Sequence, residues 1–389
     1  MVGVLASTFS ALAAAQVAPL PGVTDTHDQG GVSAGSLEVV ARFYGPGPSG
    51  VVVTHDGRIF VGFPRHAEDH KGPTLAELKD GRLVPYPDAA HSLPSDRAAA
   101  ERLVSVHGMT IDARGRIWLI DDGKRAGHPI PPGGAKIVGI DPATDSIIAT
   151  VVLKAPALLP DSHMNDLRVD LTHGEQGTAY IADSSFGTSP AIVVVDLATG
   201  RQRRVLAHDP STQAEPDFMT VLEGRPLRYD AKHPTFPVGG VDGITLSADS
   251  SRLYYSPLSS RRLYSVPTDL LANFDTSDAQ LSAAVSNEGE KGTADGLATD
   301  SENRIYTTDS EHDEILRRYP DGHFDVVVRD PRIVWPDAIF VAGHYVYVSL
   351  GQWNRLPGFN GGHDLRQPPY LLIRAPIDEA PSVDRQPAG

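Results

Sequence analysis

The chain has 389 residues with 34 Lys and Arg against 49 Asp and Glu, a formal charge of −15, and no cysteine. An acidic chain lacks the basic face that phosphate binding needs, so nucleic acid is not an expected partner. Without thiols, disulfides, thiolate zinc sites, iron–sulfur clusters and cysteine nucleophiles are excluded.

Residues 1–16, MVGVLASTFSALAAAQ, combine an apolar run with the small residues Ala13, Ala14 and Ala15. That is the look of a secretory leader with its cleavage site, and it predicts a secreted or periplasmic protein. No Lys or Arg precedes the run, and a short helix without export is the alternative reading. No other segment approaches the roughly 18 apolar residues of a membrane span. Residues 17–36 and 378–389 are rich in Pro, Gly, Ser and Asp and read as loose termini around one domain at 37–377.

Within that domain LEVVARF (37–43) is a strand without a neighbour in sequence to pair with. A phrase then recurs in which an apolar strand, a D-x-x-G-R-like turn and a second apolar strand follow one another. The copies are 49–65, 107–123, 165–185, 242–260, 295–311 and 337–352. Each reads as a β-hairpin by alternation and turn residues. Further strand pairs lie at 136–153, 191–206 and 314–328, and one last strand at 369–377. Four antiparallel strands repeated about an axis make a β-propeller blade. The predicted fold is all-β, a six-bladed propeller closed by the N-terminal strand joining the last blade. The Pro-rich insertion at 207–241 is expected to be a lid or binding segment, and the 268–292 connection to begin with a short helix.

The residue opening the first strand of each copy sits at the channel mouth of a propeller, which places Ser49, His107, Asn165, Asp242, Asp295 and Asp337 in one ring. Converging carboxylates repel unless protonated or neutralised, and an oxygen-only donor set suits Ca²⁺ better than zinc. Asn165, Asp242 and Asp295 are the predicted ligands of this divalent cation. Asp-Gly and Asn-Asp as ordinary turn chemistry is the competing reading of any single copy. His107, the one imidazole of the ring, is a candidate general base or a satisfied channel histidine. Asp337 is the second candidate catalytic residue.

Loops following the second strands reach the same mouth. Trp335 and Trp353 are candidates for an apolar ligand wall or for simple packing. Arg65 and Arg355 are candidates for binding an anionic group, or solvated loop cations. His66 and His70 lie four apart in HAEDH, a pair too sparse to make a metal site alone. No GxSxG elbow, P-loop, HExxH or dinucleotide fingerprint occurs, which removes most support for serine-triad, nucleotide and zincin chemistry.

The passages FPRHAEDHKGPTLAEL (63–78), LVSVHGMTIDARGRIWLIDDG (103–123), MNDLRVD with AYIADSS (164–185), GVDGITLSADSSRLYYSPLSSRRLYSV (240–266), TADGLATDSENRIY (293–306) and VWPDAI (334–339) resemble the yellow/major royal jelly protein family in both order and spacing. The resemblance implies a secreted or periplasmic six-bladed propeller. Insect relatives are linked to pigment conversion, nutrition and binding of small amines. More distantly the blades are similar to the calcium-dependent gluconolactonase/regucalcin propellers, whose metal is held by a Glu opening the first blade and Asn, Asn and Asp opening later ones. Here Asn165 and Asp295 sit in matching phrases, Asp242 stands for a typical Asn, and Ser49 replaces the Glu.

Four functions are therefore weighed: a metal-dependent hydrolase of a lactone or small ester, a non-catalytic binder of a small amine or aromatic ligand, an isomerase or tautomerase of catechol-like compounds, and a metal-free structural propeller. The first three take a small-molecule partner at the mouth, and a monomer is expected.

Overall fold

A computed structural model describes residues 33–185, 189–227, 239–378 and 384–385. The proposed leader at 1–16, and residues 228–238 of the long insertion, lie outside the described residues.

The recurrent turn explains why each hairpin forms. In blade 2, Oδ1 of Asp112 accepts the backbone N–H groups of Arg114 and Arg116 at 2.8 and 3.1 Å, while Oδ2 accepts Arg116 Nε and Trp118 Nε1, both at 2.7 Å. Asp300 repeats the arrangement with Glu302, Arg304 and the Tyr306 hydroxyl. One carboxylate thus satisfies the turn and anchors the strand leaving it. Gly115 and Asn303 occupy equivalent places with φ of 79° and 60°, the left-handed region that these residue types tolerate best.

Among the described residues six antiparallel sheets of four or more strands follow in the order of the sequence, with a two-stranded pair, Val221–Leu222 and Arg225–Pro226, in the long insertion. Blade 1 contains Val51–Val53, Ile59–Gly62, Leu75–Lys79 and Arg82–Pro85, and blade 2 contains Val106–Ile111, Ile117–Asp121, Lys136–Asp141 and Ser146–Val152. Blade 3 runs through Met164–Asp170, Thr178–Asp183, Ala191–Asp196 and Gln202–Val205. Blade 4 is Val241–Leu246, Arg252–Pro257, Arg262–Pro267 and Ser286–Glu290. Blade 5 is Leu297–Thr299, Ile305–Asp309, Glu314–Arg318 and Phe324–Arg329.

Blade 6 takes Pro336–Ala342, Tyr345–Leu350 and Tyr370–Pro376 from the C-terminal part of the chain and its outermost strand, Glu38–Phe43, from the N-terminal part. The pairing Phe43↔Tyr370 to Glu38↔Arg374 joins the N-terminal strand to the C-terminal part of blade 6 and closes the ring, as the unpartnered LEVVARF segment predicted.

Both tails are more engaged than their composition suggested. Ala34 bridges Arg329 and is buried against Leu316 and Val326, and residues 384–385 add a fifth strand to blade 5 through Phe324↔Arg385. The 268–292 connection begins with the expected helix, Thr268–Ala272. It continues through Asp278–Ala284, whose N-terminus carries a Ser277/Gln280 capping box, and ends as blade 4's outermost strand. No helix among the described residues is long and apolar enough to cross a membrane.

The core fills the spaces between blades. Trp118, Ile120 and Ile137 of blade 2 pack with Leu167, Ile181 and Val193 of blade 3, and Tyr180, Ile192 and Val194 of blade 3 pack with Ile244, Leu253 and Tyr255 of blade 4. Each blade therefore has two apolar faces, which is why its inner strands read as almost continuous hydrophobic runs.

Candidate functional site

The innermost strands carry a shared irregularity at the channel mouth. Pairing with the second strand slips between Val106 and Met109, Met164 and Leu167, Val241 and Ile244, and Pro336 and Ile339. Each interval holds a ring residue: His107, Asn165, Asp242 or Asp337. Such bulges place an extra residue on one strand and re-aim its side chain. In blade 5 the backbone N–H groups of Asp295 and Gly296 are instead taken by the Thr308 hydroxyl at 3.0 and 3.1 Å, and Ser349 plays that part for Ala338 in blade 6.

The residue after the ring position is glycine in four copies, and the reason is close approach rather than backbone freedom. A Cβ on Gly243 would stand 2.3 Å from the carbonyl oxygen of Asp295, and one on Gly296 would stand 2.2 Å from that of Asp337. In these four copies the ring residue is seated against the next blade's ring residue through a position with no room for a side chain.

All six ring residues are buried. Five of them, His107, Asn165, Asp242, Asp295 and Asp337, line one cavity of about 420 Å³ together with Trp335 and Trp353. Both tryptophans also join the ring chemically: Trp335 Nε1 donates to Asp295 Oδ2 at 2.5 Å and Trp353 Nε1 to Asp337 Oδ2 at 2.6 Å. Asn165 Nδ2 donates to Asp242 Oδ1. Ser49 contributes its hydroxyl behind the wall, 3.4 Å from His107 Nδ1. Asp166 turns away from the cavity to Arg168, at 2.8 Å.

Burial raises the carboxyls of Asp242, Asp295 and Asp337 well above the usual range, and their neighbours add to it: Asp337 acts on Asp242, Asp242 on Asp295, and Asp295 on Asp337. Such a ring retains protons or takes up a cation. Lys291, buried near Asp309, Asp242 and Asp295, is brought down to about 7 by its own desolvation.

The opposite wall was largely hidden from the sequence. His66, Lys124 and His163 line the cavity beside His107, with Leu258 and Phe359 completing the apolar part. The three imidazole centroids stand 4.9 to 5.1 Å apart. Desolvation brings His66 down to about 4 and lowers His107 and His163 well below the ordinary imidazole value, with His66 adding to the effect on both and His107 to that on His163. All three are therefore neutral at pH 7. His70 does not join them; its Nε2 meets the Phe63 carbonyl oxygen at 3.0 Å.

Two aspartates at the ends of second strands position this wall. Asp183 accepts the backbone N–H of His163 at 2.7 Å and is fixed by Arg204 at 2.5 Å. Asp121 accepts the backbone N–H groups of Val104 and Ser105, just before His107, at 2.7 and 2.8 Å, and pairs with Lys136 at 2.6 Å.

Neither candidate arginine lines the cavity. Arg65 is 1% exposed, and its guanidinium is held by the carbonyl oxygens of Val104 at 2.5 Å, Gly72 at 2.7 Å, His70 at 3.2 Å and Ser92 at 3.3 Å. Its guanidinium is thus held by loop backbone and does not face the cavity where a substrate-binding role was expected. Arg355, expected to bind an anionic group at the mouth, pairs with Glu223 of the long insertion and lines a separate polar cavity. That insertion does reach the site: Leu222 and Leu227 pack in one cluster with Trp335 and Trp353.

The fold and cavity define a six-bladed propeller with an acidic, aromatic-walled cavity at one channel mouth. The chain matches the model of the family described as major royal jelly protein over residues 104–375, and it belongs to that family. It is 25% identical to "Major royal jelly protein 1" of Apis mellifera over 246 residues, covering 60% of this chain and 52% of that protein. It is 28% identical to "Protein yellow" of Drosophila erecta over 244 residues, covering 57% of this chain and 41% of that protein. The match thus spans about half the length of these relatives.

Among solved structures, a calcium-binding regucalcin of Agrobacterium tumefaciens aligns with a TM-score of 0.50 at 16% identity, covering 87% of this chain and 93% of that one. A luciferin-regenerating enzyme aligns with a TM-score of 0.53 at 9% identity, covering 90% and 97%. These likenesses speak for the fold.

Proposed function

We propose that this protein is a secreted or periplasmic monomer that hydrolyses a lactone or similar small ester at the channel mouth, using a divalent cation, Ca²⁺, held by Asn165, Asp242 and Asp295. The observation that carries the reading is the buried ring of mutually repelling carboxyls facing an open cavity. The donor set fits a hard cation: carboxylate oxygens and one amide, with no thiolate. When bound, the ion neutralises the ring and polarises a carbonyl oxygen.

The chain's own groups supply the remainder. With the cation bound and its own proton displaced, Asp337, whose Oδ2 is held by Trp353, would take a proton from water at its carboxylate and return it to the leaving alkoxide oxygen as the ester bond breaks. His107, neutral in its buried setting, is the alternative base. Trp335, Trp353 and Phe359 form the apolar wall that excludes water around the ligand. The same wall opposite carboxylates suits a small aromatic amine, which is the second reading.

The test is chelator-stripped protein assayed with and without Ca²⁺, by thermal shift and by acid release from a panel of lactones. Calcium-dependent turnover lost in Asp242→Asn and Asp337→Asn supports hydrolysis. Tight amine binding without turnover would replace it with the second reading, and indifference to Ca²⁺ would overturn the cation.

A further inference from the structure

We propose that His66, His107 and His163 form a separate metal site, selective for a borderline first-row dication such as Zn²⁺, with Asp122 as the carboxylate behind two of its ligands. The inference rests on the imidazole wall and does not depend on the carboxylate ring holding Ca²⁺.

The three histidines come from different blades: His66 from the loop after blade 1's second strand, His107 from the bulge of blade 2, His163 from the residue preceding blade 3. Each offers a ring nitrogen, and these atoms all lie within 4.8 Å of one another. Zinc–imidazole bonds of roughly 2.0–2.1 Å in a tetrahedron set nitrogens about 3.4 Å apart, so modest ring rotations close the site. Neutral imidazole is the metal-binding form, and borderline ions prefer it to the hard oxygen donors across the cavity.

Aromatic packing alone would account for three clustered rings, but not for what lies behind them. Asp122 is 1% exposed and its Oδ2 has no hydrogen-bond partner; neither has the buried Nδ1 of His66. That same Oδ2 stands 4.0 Å from His66 Nδ1 and 3.7 Å from His163 Nδ1, while Nδ1 of His107 faces the Ser49 hydroxyl. A carboxylate aimed at two Nδ1 atoms is how proteins orient metal-ligating histidines, each donating its second ring N–H outward. Ligation through the remaining nitrogens gives both orphaned atoms a partner. Three imidazoles facing a cavity also leave a coordination position open, the pattern of catalytic rather than structural zinc.

The experiment uses untagged full-length protein stripped with chelator, then dialysed against Zn²⁺ or Co²⁺ at pH 7.5. One equivalent of Zn²⁺ is expected, together with the visible absorption of four- or five-coordinate Co²⁺. His163→Gln and His66→Gln should each weaken Zn²⁺ binding at least 10-fold, and Asp122→Asn roughly 10–100-fold. Asp242→Asn should leave Zn²⁺ affinity within about 3-fold while abolishing Ca²⁺ binding, so the two sites fail separately. Near-UV circular dichroism checks folding, and His66→Gln, on a loop and partly exposed, is the variant least able to unfold the chain. Absence of stoichiometric Zn²⁺, unchanged affinity in His66→Gln, or loss of Zn²⁺ in Asp242→Asn alone would each overturn the site.

Discussion

The indole N–H of Trp335 donates to Oδ2 of Asp295 across 2.5 Å, with both residues buried. The aromatic wall and the acidic ring are therefore one unit, and Trp353 repeats the link with Asp337. Trp335→Phe keeps an aromatic face but leaves a buried carboxyl oxygen without its donor, a loss of about 1–3 kcal/mol. Urea denaturation in chelator should give that loss. With Asp295→Asn as background the cost should shrink by more than about 0.5 kcal/mol, as coupled neighbours do; additive costs would mean the bond carries no weight.

Gly296→Ala is expected to disturb the ring without altering any polar group. Its Cβ would meet the Asp337 carbonyl oxygen at 2.2 Å and Ile339 at 2.9 Å, so backbone must move, at roughly 1–3 kcal/mol for overpacking. Thermal denaturation reads the loss, and Ca²⁺ affinity should fall with it. A fully stable variant would mean the blades slide freely at the mouth.

Arg65→Met should cost about 3 kcal/mol or more, because four carbonyl oxygens lose a shared buried donor. Denaturant midpoints check this. A variant within about 0.5 kcal/mol of the parent, the usual range for surface changes, would return the guanidinium to ligand binding.

Proton competition sets the pH dependence of the proposed cation. The ring carboxyls are raised in the folded protein, so they hold protons that a cation must displace, and affinity falls with acidity. Calorimetry at pH 8 and pH 5 should give at least about 10-fold weaker Ca²⁺ binding at the lower value. Equal affinities would mean that the ring does not hold the ion.

Asp313 supplies a pH test away from the mouth. Burial, with Glu223 and Asp309 adding to it, pushes its carboxyl up to about 7. The folded state therefore keeps a proton that the unfolded chain releases near 3.8. Stability from this group is complete at low pH and drains away as pH rises through 7. Asp313→Asn removes that drain, and asparagine tolerates the residue's φ of 54°. Relative to the parent the variant should gain about 1 kcal/mol between pH 5 and pH 8, roughly half of the change that a group titrating near 7 would give over that window, because the side chain is partly exposed. A pH-independent difference would refute the assignment.

The blades were legible in the sequence because what builds them is local. An Asp such as Asp112 closes its own turn within a few residues, and alternation marks the strands around it. The ring of Asn165, Asp242, Asp295 and Asp337 was legible for a related reason: a repeat carries its register along the chain, so equivalent positions meet on one axis. The long insertion's approach to Trp335 and Trp353 could only be guessed from its length.

The sequence put His107 in the ring and the loop of His66 at the mouth, but the meeting of these two with His163 was decided by the tertiary structure. His66 and His163 occupy different blade positions from His107 and share no phrase with it, so nothing periodic connects residues 97 apart (163 − 66). Arg65 shows the converse. Beside His66 at the mouth it reads as a ligand-binding cation, yet the fold turns its guanidinium into a shell of backbone carbonyls. Sequence determines which residues recur at the mouth, because hairpin geometry is set over a few residues. Which side chains face the cavity, and which are consumed by backbone behind it, depends on how loops from separate blades pack together.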